Sequence, residues 1–378
     1  MIYKLSDLCD YVKEKIDVKE LTRKNYISTE NMLPNKRGIS IASSIPSILQ
    51  TQAFKKGDIL ISNIRPYLKK IWYAEYDGGC SNDVLVLRAK KGVNKQYLYY
   101  LLADDRFFDY AMAFSKGTKM PRGDKTAIMN YSVISFSNEK QDNIAEILNV
   151  LDKKIFINDK INRNLQEQAK AIFEQELLKV EKIPPSWKKG SLIDIAEFLN
   201  GLAMQKFRPG DGEIAIPVLK IKELRQGSCD SSSDVCSSKI KSEYIIHDGN
   251  VIFSWSGSLL VDFWCGGECG LNQHLFKVSS KKFDRWFYYA WTLYHLDRFI
   301  AVASDKATTM GHIKRDELSK AEVLIPDELD YRRIGKMMEP IYDMIISNRI
   351  ANRKLAILRD QLIPNLMSGK IDVSDIEK

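Results

Sequence analysis

The sequence predicts a mixed α and β protein built from two tandem-repeated globules, with two long antiparallel helices of coiled-coil type related by a pseudo-two-fold axis. Two observations carry this expectation. Short stretches recur 190 residues apart, and in each half the apolar period changes in the same order, from strand-like to helical to heptad.

The recurrence is clearest in INDKINRNL (157–165), which returns as SNRIANRKL (347–355). Asn158, Asn162, Arg163 and Leu165 are matched there by Asn348, Asn352, Arg353 and Leu355. KGTKMP (116–121) falls on KATTMG (306–311), and Asn82 of CSNDVLVL falls on Asn272 of GLNQHLFKV. With a small slip, FKKGDILIS (54–62) echoes IHDGNVIFS (246–254), and LSDL at Leu5 echoes LIDI at Leu192. One offset holding at several sites marks a tandem duplication with diverged variable parts.

The globular part of each half opens with short runs rich in β-branched and aromatic residues, bounded by Gly, Asp, Asn and Pro. GDILISNIRPYLKKIWYAEY and NDVLVLRA in the first half, with GNVIFSWSGSLLVDFW and HLFKV in the second, read as strands. KQYLYYLLADDRFFDYAM and DRWFYYAWTLYHLDRFIA have helical spacing and occupy the same place in each half.

Each half then closes on a different kind of segment. Residues 139–182 contain no Gly or Pro, and Ile144, Leu148, Leu151, Ile155, Asn158, Asn162, Leu165, Ala169 and Ile172 recur at alternating steps of four and three. The second copy gives Ile334, Met338, Ile341, Ile345, Asn348, Asn352, Leu355, Arg359 and Leu362 on the same alternation, ending near Pro364. Such a heptad seam marks one long helix packed on another, and the prolines at 184 and 185 end the first. Asn158, Asn162, Asn348 and Asn352 are polar residues at seam positions, where asparagine fixes register and partner choice; solvated residues at the stripe's edge would leave the same pattern.

If the helices run antiparallel, the globules sit at opposite ends of a rod. A 44-residue helix spans about 66 Å, which matches at most roughly 19 base pairs of B-form DNA. A single-chain pseudo-dimer differs from a true dimer in that its two heads can diverge and read two different half-sites.

Composition narrows the classes. At 378 residues there is length for two cores, and 44% hydrophobic with 28% charged residues describes a folded chain. The formal charge of +8 permits a polyanion such as DNA without requiring one. Six scattered cysteines with no C-x-x-C pair argue against a disulfide framework or a zinc site, so no metal is expected, Cys265 and Cys269 being the nearest to a ligand pair. No signal-like start or run of 18 apolar residues is present, which predicts a cytoplasmic protein with no membrane partner.

Candidate DNA-contacting residues lie in SKGTKMPRGDK (115–125) and SDKATTMGHIKRDE (304–317), which mix cations, hydroxyls and Gly. They are Lys116, Thr118, Lys119, Arg122 and Lys125, and Lys306, Thr308, Thr309, His312, Lys314 and Arg315. Lys and Arg neutralise phosphates, Arg also forks onto guanine, and Thr donates to either phosphate or base. A solvated basic loop would look the same. SNIRPYLKK (62–70) and SWSGS (254–258) lie in matching places after a strand, polar in one half and aromatic with Gly in the other.

Catalytic signatures are missing. KIPPSW (182–187) has Ile183 and Ser186 where an amino-group DNA methyltransferase loop needs a polar residue and an aromatic one. No dinucleotide-binding glycine loop, phosphate-binding P-loop or G-x-S-x-G elbow occurs, so no catalytic residue and no cofactor of its own is expected.

The chain resembles the specificity subunit of Type I restriction-modification enzymes over essentially its whole length. The resemblance rests on the duplicated halves, on LNVLDKKIFINDKINRNLQEQAKAIFEQEL as the central helix, on the closing NRKLAILRDQLIPNLMSGKI, and on G-T-x-M-P at Gly117 to Pro121. The second loop departs from that pattern at Ala307 and Gly311. The resemblance implies two target-recognition domains (1–138 and 183–326) alternating with long helical segments (139–182 and 327–378) that act as spacer and docking surface. It further implies that double-stranded DNA is read as an asymmetric bipartite site, with two modification (methyltransferase) subunits and added restriction subunits as partners. S-adenosylmethionine, ATP and Mg²⁺ would belong to those partners. The competing expectation is an assembly module that binds only proteins.

Overall fold

Strict alternation in the strands decides which layer each side chain enters. In Ile59–Ser62, Ile59 and Ile61 face one core while Leu60 faces another; in Val84–Ala89, Leu85 and Leu87 join the first and Val84 and Val86 the second. A strand buried on both faces is the middle of three layers. The computed structural model describes residues 2–305 and 315–373 and shows such a layer twice.

The chain divides into two compact units, one formed by residues up to Lys153 together with those from Leu355 onward, the other by Lys154–Lys354. In the first, a four-stranded sheet runs in the spatial order Cys9–Tyr11, Val84–Ala89, Ile59–Ser62, Ile71–Tyr73, all antiparallel. Helices Lys95–Leu102 and Asp105–Ala113 cover one face, through Tyr97, Leu98, Leu101, Phe107 and Phe108. A second sheet covers the other, in the order Lys15–Asp17, Gln50–Phe54, Gly78–Cys80, Tyr26–Ile27.

The second unit repeats the plan with Glu197–Asn200, Leu275–Ser279, Val251–Ser254, Leu260–Phe263 as its middle sheet and helices Arg285–Tyr294 and Leu296–Asp305 outside it. Val251 and Phe253 face the helices, and Ile252 faces the outer sheet. The aromatic-rich run read as one helix is thus two in each unit. In the first, Asp104 caps the second helix by accepting from the Arg106 amide at 2.9 Å.

The outer sheets share a three-strand nucleus. A central strand (Gly78–Cys80, or Cys269–Leu271) has a parallel neighbour on one side (Tyr26–Ile27, or Ala215–Leu219) and an antiparallel one on the other (Gln50–Phe54, or Ile245–Ile246). The fourth strand differs. Lys15–Asp17 joins the antiparallel edge in the first unit, whereas Val235–Ser237 joins the parallel edge in the second.

The central helix runs Asn138–Phe173 and closes in a wider π turn at Glu174–Leu178, short of the expected Lys182. Lack of Gly and Pro does not carry it further, because the Lys179 amide donates to the Glu174 carbonyl and turns the chain there. The C-terminal helix, Glu328–Met367, contains Pro340 and passes Pro364, where a stop was expected. An interior proline costs about 3 kcal/mol. Beyond Pro364, Leu366 and Met367 enter the first unit's core and oppose that cost, and Gly369, at φ +73°, supplies the left-handed residue that follows the end. No described helix is long and apolar enough to cross a membrane.

Candidate nucleic-acid interface

In the first unit the two segments singled out after the strands and helices come together. The Lys116 and Arg122 amides each donate to the other's carbonyl at 2.9 Å, closing a loop over residues 117–121. Gly117, at φ +94°, makes the reversal. The loop lies on the strand-end segment, since the Arg65 amide donates to the Pro121 carbonyl at 2.8 Å and the Gly123 amide to the Asn63 carbonyl at 3.1 Å. Asp124 then caps helix Lys125–Met129, accepting from the Thr126 and Ala127 amides. These amide bonds, with the Lys116 ammonium, hold its carboxyl below the usual carboxylate range.

Lys116, Thr118, Lys119, Arg122 and Lys125 are all exposed. Lys116 is partly neutralised by Asp124 at 3.1 Å, and Arg122 by Asp83 at 3.0 Å. Among the described residues no carboxylate pairs with Lys119, Lys125 or the neighbouring Arg65. Met120, Phe114 and Tyr67 stay about half exposed beside these cations, the mixture of charge and apolar surface that nucleic-acid backbones and bases both accept.

The conformation of segment 62–70 carries no mark in its sequence. Arg65 has φ +52° and ψ +65°, Lys69 φ +49° and ψ +47°, and a single 3₁₀ turn, Pro66–Leu68, lies between them. The turn is held from behind by Asn35 and Lys36, themselves at φ +57° and +59°, whose amides donate to the Leu68 and Lys69 carbonyls at 2.9 Å. A left-handed residue with a side chain costs about 1 kcal/mol. Lys36 and Lys69 share Asp105, at 2.8 and 2.7 Å. Lys70 is half-buried, donates to the Thr29 carbonyl, and has its pKa pulled down by burial and then by the Arg65 charge. Beneath the loop, the Asn63 side-chain oxygen is buried and meets no hydrogen-bond donor among the described residues. Left-handed Asn is a readable signal; left-handed Arg and Lys are not.

The corresponding segment of the second unit is arranged otherwise. Trp255 stacks on Phe276 at 5.6 Å and donates its indole N–H to Asn200 at 3.1 Å, and buried Ser256 lies 3.3 Å from His274 Nδ1. Gly257 takes the left-handed position at φ +65°. Arg315 is exposed and donates to the Phe198 carbonyl at 3.2 Å. Lys306, Thr308, Thr309, His312 and Lys314 lie outside the described residues.

The seam asparagines meet one another within the second unit. The Asn158 amide donates to Asn352 at 2.7 Å and that of Asn348 to Asn162 at 2.9 Å, so the helices run antiparallel there; Asn352 also donates to Asp159 at 2.8 Å. In the first unit the equivalent role falls to Asp152, which accepts from Arg359 at 2.7 Å and from the Tyr100 hydroxyl at 2.8 Å.

Two stretches, residues 1–167 and 184–355, match the family model described as the Type I restriction modification DNA specificity domain. The chain belongs to that family. Among relatives of this DNA specificity family, the chain is 23% identical over 390 residues to the specificity subunit of the Type I restriction enzyme MjaIX from Methanocaldococcus jannaschii, covering 95% of this chain and 88% of the relative. It is 20% identical to the HindI specificity subunit from Haemophilus influenzae, covering 98% and 99%. The crystal structure of a Type I restriction-modification S subunit from M. genitalium has the same fold, with a TM-score of 0.58 at 14% identity over 99% of this chain and 96% of that one. Within the Type I specificity family this chain is a non-catalytic component.

Proposed function

We propose that this chain reads an asymmetric, bipartite double-stranded DNA site for a Type I restriction-modification complex, one half-site per unit. The observation that carries the reading is that one core is built twice while residues at matched surface positions differ, Arg65 and an exposed basic loop in one unit, Trp255 and Gly257 in the other. Identical heads would impose a palindrome; these do not. Lys116, Thr118, Lys119, Arg122 and Lys125 contact one half-site, and Arg315 with Lys306, Thr308, Thr309, His312 and Lys314 the other. The long helices set the spacer and dock two modification subunits, to which restriction subunits add. S-adenosylmethionine, ATP and Mg²⁺ are used by those subunits.

The test is to map methylated adenines in DNA exposed to the complex of this chain with its modification subunits. A split motif with unlike halves is expected. Methylation without a motif would sink the reading in favour of an assembly module. Removing one heptad from each long helix, about 10 Å, is expected to shorten the spacer by roughly 3 base pairs and leave the bases unchanged; an unaltered spacer would refute the ruler.

A further inference from the structure

We infer that Arg65 is a specificity-determining residue that reads a base in the half-site taken by the first unit. The inference rests on the proposed reading of DNA by that unit.

The argument starts from a matched pair of positions. Ser62 and Ser254 each end the first strand of a middle-sheet hairpin in their unit, and three residues later the chain turns left-handed in both, at Arg65 and at Gly257. Glycine is the residue that adopts this conformation without penalty, and the second unit has it. The first unit keeps arginine against the steric preference, so what is retained there is a side chain. That side chain is exposed, and among the described residues it has no carboxylate partner.

Its surroundings identify the partner's chemistry. Lys70 is a charged neighbour and the loop carrying Lys119 and Arg122 is bonded to the Arg65 amide; Arg122 is offset by Asp83, but Arg65 and Lys119 have no carboxylate among the described residues, which leaves uncompensated positive charge for an anionic surface. Its backbone is fixed from three sides, by the Arg65 amide bond to Pro121, by the 3₁₀ turn, and by the Asn35 and Lys36 amides behind that turn. Contact with a phosphate needs only a nearby charge, and a lysine on a flexible stem supplies that. A guanidinium held on a rigid turn suits the two parallel hydrogen bonds that a guanine edge accepts in the major groove.

The experiment uses the full chain assembled with its modification subunits, comparing wild type with Arg65→Gly and Arg65→Lys. The readouts are methylated-adenine motifs on a randomised DNA library and thermal melting of each chain. Arg65→Gly, which installs the second unit's own residue, is expected to melt no lower than wild type. Both variants are expected to lose preference at one base of one half-site by roughly tenfold to a hundredfold, with the other half-site unchanged. A wild-type motif kept intact by both variants overturns the inference while leaving the proposed function standing. So does a uniform fall in methylation by Arg65→Gly, rescued by Arg65→Lys with no change in motif, which is the signature of a phosphate contact. A wild-type complex without any motif defeats the underlying reading instead.

Discussion

The two units share a fold but differ in where they accept awkward backbone. Among the described residues, all four non-glycine positions with positive φ lie in the first unit, at Asn35, Lys36, Arg65 and Lys69, on two turns bonded to each other. The second unit fills its left-handed positions with glycine: 212, 227, 249, 257 and 267. The fourth strand of the outer sheet likewise joins opposite edges. The difference teaches that the middle sheet, its covering helices and the three-strand nucleus of the outer sheet are kept in both units, and that the fourth outer strand and the turns are free to diverge.

If the cores are equivalent, the largest effect comes from breaking one of them. Phe253→Ala, at a fully buried position, is expected to remove about 3–5 kcal/mol. Five of the six tryptophans (187, 255, 264, 286 and 291) belong to the second unit and Trp72 to the first, so fluorescence during denaturation separates the two. An unchanged midpoint for the second unit's tryptophans would contradict this.

The seam offers a sharper comparison. At the 190-residue offset, the Asp152–Arg359 pair of the first unit corresponds to Tyr342 and Ala169 of the second, both buried. Asp152→Ala leaves a mostly buried guanidinium with Asp360, 2.9 Å away and partly exposed, as its remaining carboxylate, and is expected to cost about 2–3 kcal/mol, somewhat below the fully buried case. The double change Asp152→Tyr with Arg359→Ala imports the other unit's apolar layer and is expected to leave stability nearly unchanged or raised. Chemical denaturation followed at Trp72 measures both; a double variant weaker than the single one would show that the layers are not interchangeable.

A smaller effect is expected at the surface. Lys119→Ala with Lys125→Ala should lower the slope of log K against log salt by about two, with the motif intact. An unaltered slope in a binding titration would remove these lysines from the interface.

The smallest concerns acidity. His295 is buried, lies 2.8 Å from the Glu322 carbonyl, and has its pKa lowered chiefly by burial. A histidine whose folded pKa is depressed protonates more readily unfolded, so stability is full above its ordinary value near 6.5 and falls as pH drops through it. Trp291 stacks on His295 and reports the loss, which His295→Gln should abolish; Trp72 should not respond.

Much of this was legible. The offset, the strand runs and the seam asparagines follow from repetition and periodicity, because burial imposes them. The choice of edge for Lys15–Asp17 and Val235–Ser237 was not, since either edge offers the same unpaired groups and only tertiary packing selects one. Pro364 misled for a related reason, with Leu366 and Met367 opposing the local preference. At the interface, residue type pointed to the basic loop, but its seating on Arg65 is set by backbone bonds from Pro121 and Gly123, which carry no mark in the residues' identities.

Val373 is buried in the first unit's core, and Asn143 donates to its carbonyl at 3.0 Å. Because this unit needs residues on both sides of the second, the order of synthesis matters. A ribosome delivers all of Lys154–Lys354 before the residues that complete the first core, so the later-encoded unit can close earlier. The first unit must meanwhile wait with Ile363, Leu366, Met367 and Val373 missing from its interior, and it matures last.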